Sequence, residues 1–247
     1  MTPAPVAAYR RAALWLVFFL FGAAAACDVE SSNPSAETTV LGSGAAPPFD
    51  PQSVLSVTVT ACVSHGTAQQ AKASVISDNL ALTVAHPFTE FRRFTVRDRD
   101  GVPVPADLII YHPDRDVAVL RLGTPWASGV ALAPSEPEPI GDQPVWLPSD
   151  QGSLIAGTAS PPALVTIDGH HPRVAAEVSL PIQLGQSGSP VIDSDGAIVG
   201  IVFAADRDPT QNRGWITAIS EYQAIIAQFD TDLGTSRADA PPVTNPC

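Results

Sequence analysis

From residue 51 onward, the sequence is a succession of short apolar or alternating segments separated by turn residues. The first group comprises Val54–Cys62, Ala73–Ser77, Leu80–Ala85, Phe94–Arg97, Ala106–Tyr111 and Val117–Leu122. The second comprises Val145–Leu147, Leu154–Gly157, Leu164–Ile167, Val174–Leu180, Pro190–Ile192, Ala197–Phe203 and Trp215–Ile219. Many short strands at close spacing indicate a sandwich or barrels. Two similar groups, joined near 124–142, favour an all-β fold of two six-stranded antiparallel barrels.

One helix is predicted after the last strand. Ser220 and Gln223 have the spacing of a capping box, with Ser220 as the N-cap. The apolar residues that follow recur at helical spacing and would share one face: Tyr222, Ile225, Ile226 and Phe229. We therefore place the folded domain at 51–232, with a C-terminal helix and a polar tail at 233–247.

The first 26 residues have the pattern of a signal peptide. Arg10 and Arg11 precede the apolar stretch 12–26, which is shorter than the roughly 20 residues of a membrane-spanning helix. Ala24-Ala-Ala-Cys27 resembles a bacterial lipobox, although Ala24 stands where leucine is usual. Lipidation of Cys27 is the favoured interpretation, and simple cleavage or a retained anchor are the alternatives. Residues 27–50 are rich in Ser, Pro, Gly, Ala and acids, which is typical of a disordered tether.

These features predict an exported protein that a lipid on Cys27 holds at the cell membrane, in the periplasm or on the outer face of the cytoplasmic membrane. Secretion is the alternative. The chain has three cysteines, so lipidation of Cys27 leaves Cys62 and Cys247 to form a disulfide, as exported proteins commonly do.

The charge balance bears on possible partners. The formal net charge is -12, from 13 basic against 25 acidic residues. Such an acidic surface repels phosphate backbones, so nucleic acid is not an expected partner. The same charge also serves solubility.

Ser187 lies in a segment suited to a nucleophile, Leu184-Gly-Gln-Ser-Gly-Ser-Pro190. A nucleophilic serine needs a tight turn that exposes its hydroxyl, and backbone N–H groups aimed at the oxyanion that forms on attack. Gly185 permits the backbone angles of such a turn, and the N–H groups of Gly185 and Ser187 would form the oxyanion hole. Taken alone, the same pattern also suits an ordinary polar turn.

His86 ends one apolar segment and Asp116 begins another. A general base must reach the serine, and a buried carboxylate must orient that base. Each residue considered singly is more often structural, so the prediction depends on the combination. Asp114 is a rival to Asp116, two residues upstream.

Four segments together resemble the trypsin-like serine protease family. Thr83-Val-Ala-His86 is similar to its T-A-A-H motif, Asp116-Val-Ala-Val-Leu120 to D-I-A-L-L, and Gly185-Gln-Ser-Gly-Ser-Pro190 to G-D-S-G-G-P. Ile198-Val-Gly-Ile-Val202 is similar to the strand that follows the serine there. The order His, Asp, Ser is that of the family, and the resemblance covers about residues 51–230.

This resemblance implies a chymotrypsin-like fold and a serine endopeptidase that works through an acyl-enzyme. Ser187 would attack the scissile carbonyl, His86 would accept and return the proton, and Asp116 would fix the imidazole tautomer. Protein or peptide substrates are implied. Neither a cofactor nor a metal is expected, because no Cys, His or carboxylate cluster has ligand spacing.

Two departures from the family motif indicate which members of the family this sequence resembles most. Gln186 stands where digestive relatives carry Asp, and no Arg-Ile-Val-Gly-Gly sequence is present, so zymogen activation of that kind is not expected. Ser189 is similar to the glutamyl endopeptidase form of the motif. The chain thus looks closest to bacterial glutamyl endopeptidases and to Deg-type proteases without a PDZ domain.

Aligned to the family, Pro181 and Val202 stand where other members carry the residues that select basic or acidic P1 side chains. Small or medium apolar P1 residues are therefore predicted. Trp215 and Thr217 are further candidates for the pocket, and the substrate strand would pair with residues 203–205. The substrate-binding residues predicted are Ile182, Leu184, Val202, Phe203, Ala204 and Ala205.

Two other functions remain open from the sequence. One is a catalytically silent pseudoprotease that binds peptides or unfolded chains. The other is a structural envelope lipoprotein that keeps the fold without binding peptides. The sequence carries no signal for the oligomeric state.

Overall fold

The computed structural model describes residues 46–61, 68–89, 91–126, 143–166, 172–206, 208–233 and 241–244. The predicted signal peptide, most of the tether, and Cys27, Cys62 and Cys247 lie outside these residues. Lipidation and the disulfide therefore stay predictions. Among the described residues, no helix is long and apolar enough to cross a membrane.

The first half of the domain is a seven-stranded antiparallel sheet, and its order is β5-β4-β1-β2-β3-β7-β6. Its strands are β1 (Val54–Ala61), β2 (Ala68–Ser77), β3 (Leu80–Thr83), β4 (Phe91–Arg97), β5 (Pro103–Val104), β6 (Ala106–His112) and β7 (Val117–Leu122). Alternate residues of β1 point inward, so that Leu55, Val57 and Val59 are buried. No pairing joins β5 to β6 in the described part of the chain, so this sheet is an open half-barrel.

The second half is another seven-stranded antiparallel sheet, in the order β10-β11-β14-β13-β12-β8-β9. Its strands are β8 (Gln143–Pro148), β9 (Leu154–Ala159), β10 (Ala163–Val165), β11 (Arg173–Val178), β12 (Pro190–Ile192), β13 (Ile198–Ala205) and β14 (Gly214–Ala218). Val178 of β11 pairs with Ala159 of β9, which closes six strands into a barrel. The barrel is filled by Leu147, Val191 and Ile216, among others.

The predicted all-β, chymotrypsin-like fold is confirmed. The extra strand of each sheet, β5 or β10, is only two or three residues long. Leu164–Ile167, among the seven predicted segments of the second group, overlaps β10. The two residues of β5 are too few to show a period of two, so the sequence did not predict that strand.

Helix α1 (Ile219–Leu233) follows β14 directly. It begins one residue before the predicted cap, so Ser220 lies inside the first turn. Ile219, Tyr222 and Ile225 are buried. They belong to a core cluster that also contains Leu82 of the first sheet and Ile201 of the second. The helix therefore seals the junction between the two sheets, where the predicted catalytic residues lie.

Candidate active site

Asp116 is held in the junction by a sharp turn between β6 and β7. A 3-10 turn, Pro113–Arg115, ends at Asp116, whose φ of 56° is left-handed. Aspartate tolerates this region better than most residues. The turn directs the side chain inward, where the residue is only 5% exposed. Asp114 is exposed on the same turn, and the carboxyl group that faces the histidine is that of Asp116.

The Asp116 carboxylate holds His86 by both its backbone and its ring. Its Oδ1 accepts from the N–H groups of Ala85 (2.9 Å) and His86 (2.7 Å), and its Oδ2 lies 3.0 Å from His86 Nδ1. Nδ1 therefore carries the proton in this pair. The ring's Nε2 is left as the basic nitrogen, as a general base requires.

The pKa of Asp116 reflects this environment. Burial would raise it, but hydrogen bonds and charge from His86, with the charge of Arg173, outweigh burial and hold the pKa of the carboxyl below its usual range. Asp116 therefore remains ionised in its buried position.

The serine segment forms a compact loop in which two N–H groups are unpaired. Gln186 N–H donates to Gln183 O (3.1 Å), Gly188 N–H to Val202 O (2.7 Å) and Ser189 N–H to Gln186 O (2.9 Å). The Gln186 side chain closes the loop, since its Oε1 accepts from Gln183 N–H at 2.7 Å. Within the described residues, the N–H groups of Gly185 and Ser187 make no hydrogen bond. Two free donors flanking one residue are what an oxyanion hole requires.

Backbone contacts fix this loop to the first sheet. Lys72 N–H donates to Ser187 O at 2.7 Å, and Ser74 Oγ donates to Gly188 O at 3.1 Å. The hydroxyl of Thr83 donates to the carbonyl of the same Lys72 at 2.7 Å. Lys72 thus ties the serine loop to the strand that leads into His86. Ser187 Oγ makes no hydrogen bond within the described part of the chain, a looseness common before substrate binds.

Sequence reasoning did not identify a second layer of buried polar residues behind the site. Arg173, the first residue of β11, places Nη1 3.3 Å from Asp116 Oδ2 and its guanidinium 4.6 Å from the centroid of the Phe203 ring. Tyr222 donates to Thr83 O at 3.2 Å. Their partners are distant in the sequence, so no local pattern could have identified these contacts.

Glu221 belongs to the same layer. Its carboxylate accepts from both Arg115 (2.7 and 2.8 Å) and the N–H of Val174 (2.7 Å). Arg115 precedes Asp116 and Val174 follows Arg173. Glu221 therefore joins helix α1 to both chain segments that carry the charges beside His86.

The predicted substrate-binding residues differ in exposure. Leu184 is fully exposed next to Gly185, whereas Ile182 is only 9% exposed. Ala204 and Ala205 pair with Trp215 and Gly214 of β14. Val202 has no exposed surface and contributes backbone bonds to the serine loop, and Phe203 packs beneath Arg173. Thr217 is likewise completely buried.

Gly214, which the sequence did not suggest, lies against Ile182, one of the predicted substrate-binding residues. A Cβ at this position would lie 2.3 Å from Cδ1 of Ile182. The Ile182 side chain therefore extends to the opposite strand and fills the space that Gly214 leaves.

In the described residues, no three His, Cys, Asp or Glu side chains cluster in a way that could hold a metal ion.

The family follows from comparison with known proteins. The family model for the trypsin-like peptidase domain matches residues 71–201 of this sequence. This chain belongs to the trypsin-like peptidase family. It is a serine endopeptidase by class, and residues 71–201 include His86, Asp116 and Ser187.

Solved structures share the fold. The active form of the Rv3671c protease from M. tuberculosis is 22% identical with a TM-score of 0.63, over 79% of this chain and 85% of that chain. Its inactive form is 23% identical with a TM-score of 0.56, over 72% and 89%. The HtrA-type protease AlgW with tripeptide is 19% identical with a TM-score of 0.61, over 76% and 62%. No curated protein sequence matches the chain.

Proposed function

We propose that this trypsin-like peptidase cleaves peptide bonds with His86, Asp116 and Ser187 as its catalytic triad. The observation that carries the proposal is the hold of Asp116 on His86, at 3.0 Å to Nδ1 and 2.7 Å to the backbone N–H. Support also comes from the unpaired N–H groups of Gly185 and Ser187, in a loop bonded to the strand next to that of His86.

In this mechanism, Ser187 Oγ attacks the scissile carbonyl while His86 Nε2 removes its proton. The N–H groups of Gly185 and Ser187 bind the oxyanion, and Asp116 stabilises the imidazolium. His86 then protonates the leaving amine, which leaves an acyl-enzyme on Ser187. A water molecule, deprotonated by His86, hydrolyses that ester and restores the enzyme.

The substrate preference we infer is a small or medium apolar P1 residue. Ile182 limits the depth of the pocket because it extends to Gly214. The exposed Leu184 is available at the rim. The end of β13, from Phe203 to Ala205, pairs on one side with β14. The substrate would add as a strand on its other side.

The setting we infer is the cell envelope. The basic residues Arg10 and Arg11, the apolar stretch 12–26 and Cys27 together support export with a lipid anchor. Envelope or extracellular proteins would then be the substrates.

The test compares the purified protein with its Ser187→Ala variant, using a fluorophosphonate probe and unfolded casein. Both labelling and cleavage should vanish in the variant, since loss of the nucleophile costs roughly 10⁶ in rate. Ser153→Ala is a matched control, because the contact of its hydroxyl among the described residues is with Ser149 of the same surface turn. Mass spectrometry of the casein fragments then reports the P1 preference.

A folded protein that neither labels nor cleaves would reject the proposal. Saturable peptide binding by Ser187→Ala would then favour a peptide-binding pseudoprotease. Absence of binding would favour a structural envelope lipoprotein.

A further inference from the structure

Arg173 is a buried cation in direct contact with the proposed triad. Its residue is only 2% exposed, and its Nη1 lies 3.3 Å from Asp116 Oδ2. This Nη1 has no hydrogen bond within the described residues, so its interaction with Asp116 is mainly one of charge. A buried cation is strongly unfavourable unless an anion compensates it.

The surroundings of Arg173 leave Asp116 as its compensating charge. The ring of Phe203, from β13, lies against the guanidinium at 4.6 Å, where its π face favours a cation. From α1, Tyr222 uses its hydroxyl to bond the Thr83 carbonyl. The neighbouring Glu221 is already paired with Arg115. Among the described residues, Asp116 is the carboxylate that contacts Arg173.

The charges at the triad therefore differ from those of a simple aspartate–histidine pair. With His86 neutral, Asp116 and Arg173 sum to zero. When His86 accepts the serine proton, the cluster becomes positive, whereas without Arg173 it would become neutral. Arg173 Nη1 and His86 Nδ1 both approach Oδ2 of Asp116, so a protonated His86 meets the charge of Arg173 across that oxygen, and Arg173 opposes protonation of His86. The His86 side chain is 39% exposed, so water screens part of this repulsion.

We propose that Arg173 is a positioning residue of the triad. Together with His86 it keeps the buried Asp116 carboxylate ionised and in place, and its charge opposes the protonation of His86. This inference rests on the proposed function, in which His86 is the base. Its test, however, needs no catalysis.

The direct test is an NMR titration of the His86 imidazole in the full chain carrying Ser187→Ala. Loss of the corresponding signal in a His86→Gln variant assigns it. Arg173→Met should raise the titration midpoint by about one pH unit, because the buried positive charge is lost. Arg173→Lys retains the charge and should restore most of the original midpoint.

Arg213→Met is the matched control. Arg213 also pairs with a carboxylate, at 2.6 Å from Asp206, and lies over a ring, 5.7 Å from Trp215. Its side chain is 45% exposed, so water screens its charge. Its removal should leave the His86 midpoint unchanged. An unchanged midpoint in Arg173→Met, or an equal shift in Arg213→Met, would overturn the inference.

A stability cycle provides a second test. Asp116→Asn removes the carboxylate that compensates Arg173 among the described residues, and it should lower the urea midpoint strongly. Adding Arg173→Met should recover part of that loss, although Arg173→Met alone is destabilising. If Arg173→Met alone fails to fold but the double variant folds, the pairing is supported. Strictly additive losses, or a double variant less stable than Asp116→Asn, would contradict it.

The two proposals fail separately. An inactive protein with the predicted titration shift would reject the protease function and retain the charge relationship. An active protease without that shift would support the protease function and reject the charge relationship. In an active protein, the acidic limb of the pH profile of kcat/KM should shift to higher pH in Arg173→Met, by the same amount as the NMR midpoint.

Discussion

The α-carbon of Gly188 lies so close to Lys72 that a Cβ at position 188 would stand 1.9 Å from the Lys72 carbonyl oxygen. That carbonyl also accepts from Thr83, and the amide of Lys72 donates to Ser187 O. The serine loop thus rests on the first sheet through the backbone of Lys72 and the hydroxyl of Ser74, which donates to Gly188 O. The relative position of Ser187 and His86 depends on the absence of a side chain at Gly188.

We therefore expect Gly188→Ala to lower both stability and activity. The methyl group meets backbone, which cannot rotate away, and φ at Gly188 is 90°. We expect a loss of about 3 kcal/mol or more in the free energy of unfolding, from left-handed strain together with overpacking. Urea denaturation and fluorophosphonate labelling measure the two effects.

Gly101→Ala separates the strain from the contact. Gly101 has a φ of 82°, with nothing within 4 Å of its ideal Cβ. Its substitution should cost about 1 kcal/mol and leave labelling intact. Equal losses at the two positions would show that the contact with Lys72 is unimportant.

The specificity of the pocket should depend on Ile182. Truncation in Ile182→Ala removes the side chain that reaches Gly214, and so deepens the pocket. We expect kcat/KM for a phenylalanine P1 peptide to rise relative to alanine P1 by about 10-fold or more, the scale of methylene-sized changes in apolar pockets. Leu164→Ala, at an exposed position on β10, is the control and should leave the ratio unchanged. An unaltered ratio in Ile182→Ala would place the P1 side chain elsewhere.

The sequence was sufficient to predict the fold because its determinants are local. Inward-pointing residues such as Leu55, Val57 and Val59 alternate, and turn residues separate the strands. The predicted contact between His86 and Asp116 is also present. This contact joins two motifs whose key residues lie 30 positions apart. His86 ends one apolar segment of the sequence and Asp116 begins another.

The second layer of the site could not be predicted, because its contacts join distant parts of the chain. Arg115 and Glu221 are 106 positions apart, and Tyr222 and Thr83 are 139 apart. Helical periodicity indicated that Tyr222 is buried, but no periodicity in the sequence indicates which distant residue a polar side chain bonds. Val202 was predicted from its aligned position to bind substrate, and its side chain is completely buried. Alignment to a motif indicates where a residue lies along a strand, but its exposure depends on packing across the barrel.

Glu221 should stabilise the site from helix α1. Glu221→Ala removes the acceptor of Arg115 and of the Val174 N–H, and should cost about 2 to 3 kcal/mol, because both bonds involve a charged acceptor. Glu221→Gln keeps an acceptor oxygen and should lose less. Activity should fall in the same order, because Arg115 and Val174 adjoin Asp116 and Arg173. Thermal unfolding and peptide hydrolysis provide the measurements, and equal effects of the two substitutions would argue against a role for the charge.

Alkaline stability should depend on Tyr222. Burial, followed by the negative charge of Asp116, raises the pKa of Tyr222 well above its usual value, and Arg173 only partly opposes this. The folded state therefore retains the proton after the unfolded chain has lost it. The stabilisation is fully present below the unfolded pKa of about 10, and is lost as pH rises toward the folded pKa.

The free energy of unfolding should accordingly fall above about pH 10, by at most about 1.4 kcal/mol per pH unit for this one group. Tyr222→Phe should cost about 1 kcal/mol at neutral pH, through loss of the bond to Thr83 O, but should lack this part of the alkaline decline. Its deficit relative to the parent should thus shrink above pH 10. Tyr111→Phe, which loses a half-buried hydroxyl on β6, should keep the parent's decline because Tyr222 is still present. Urea midpoints between pH 7 and 11 measure the three curves, and parallel curves for Tyr222→Phe and the parent would mean that Tyr222 does not govern the alkaline response.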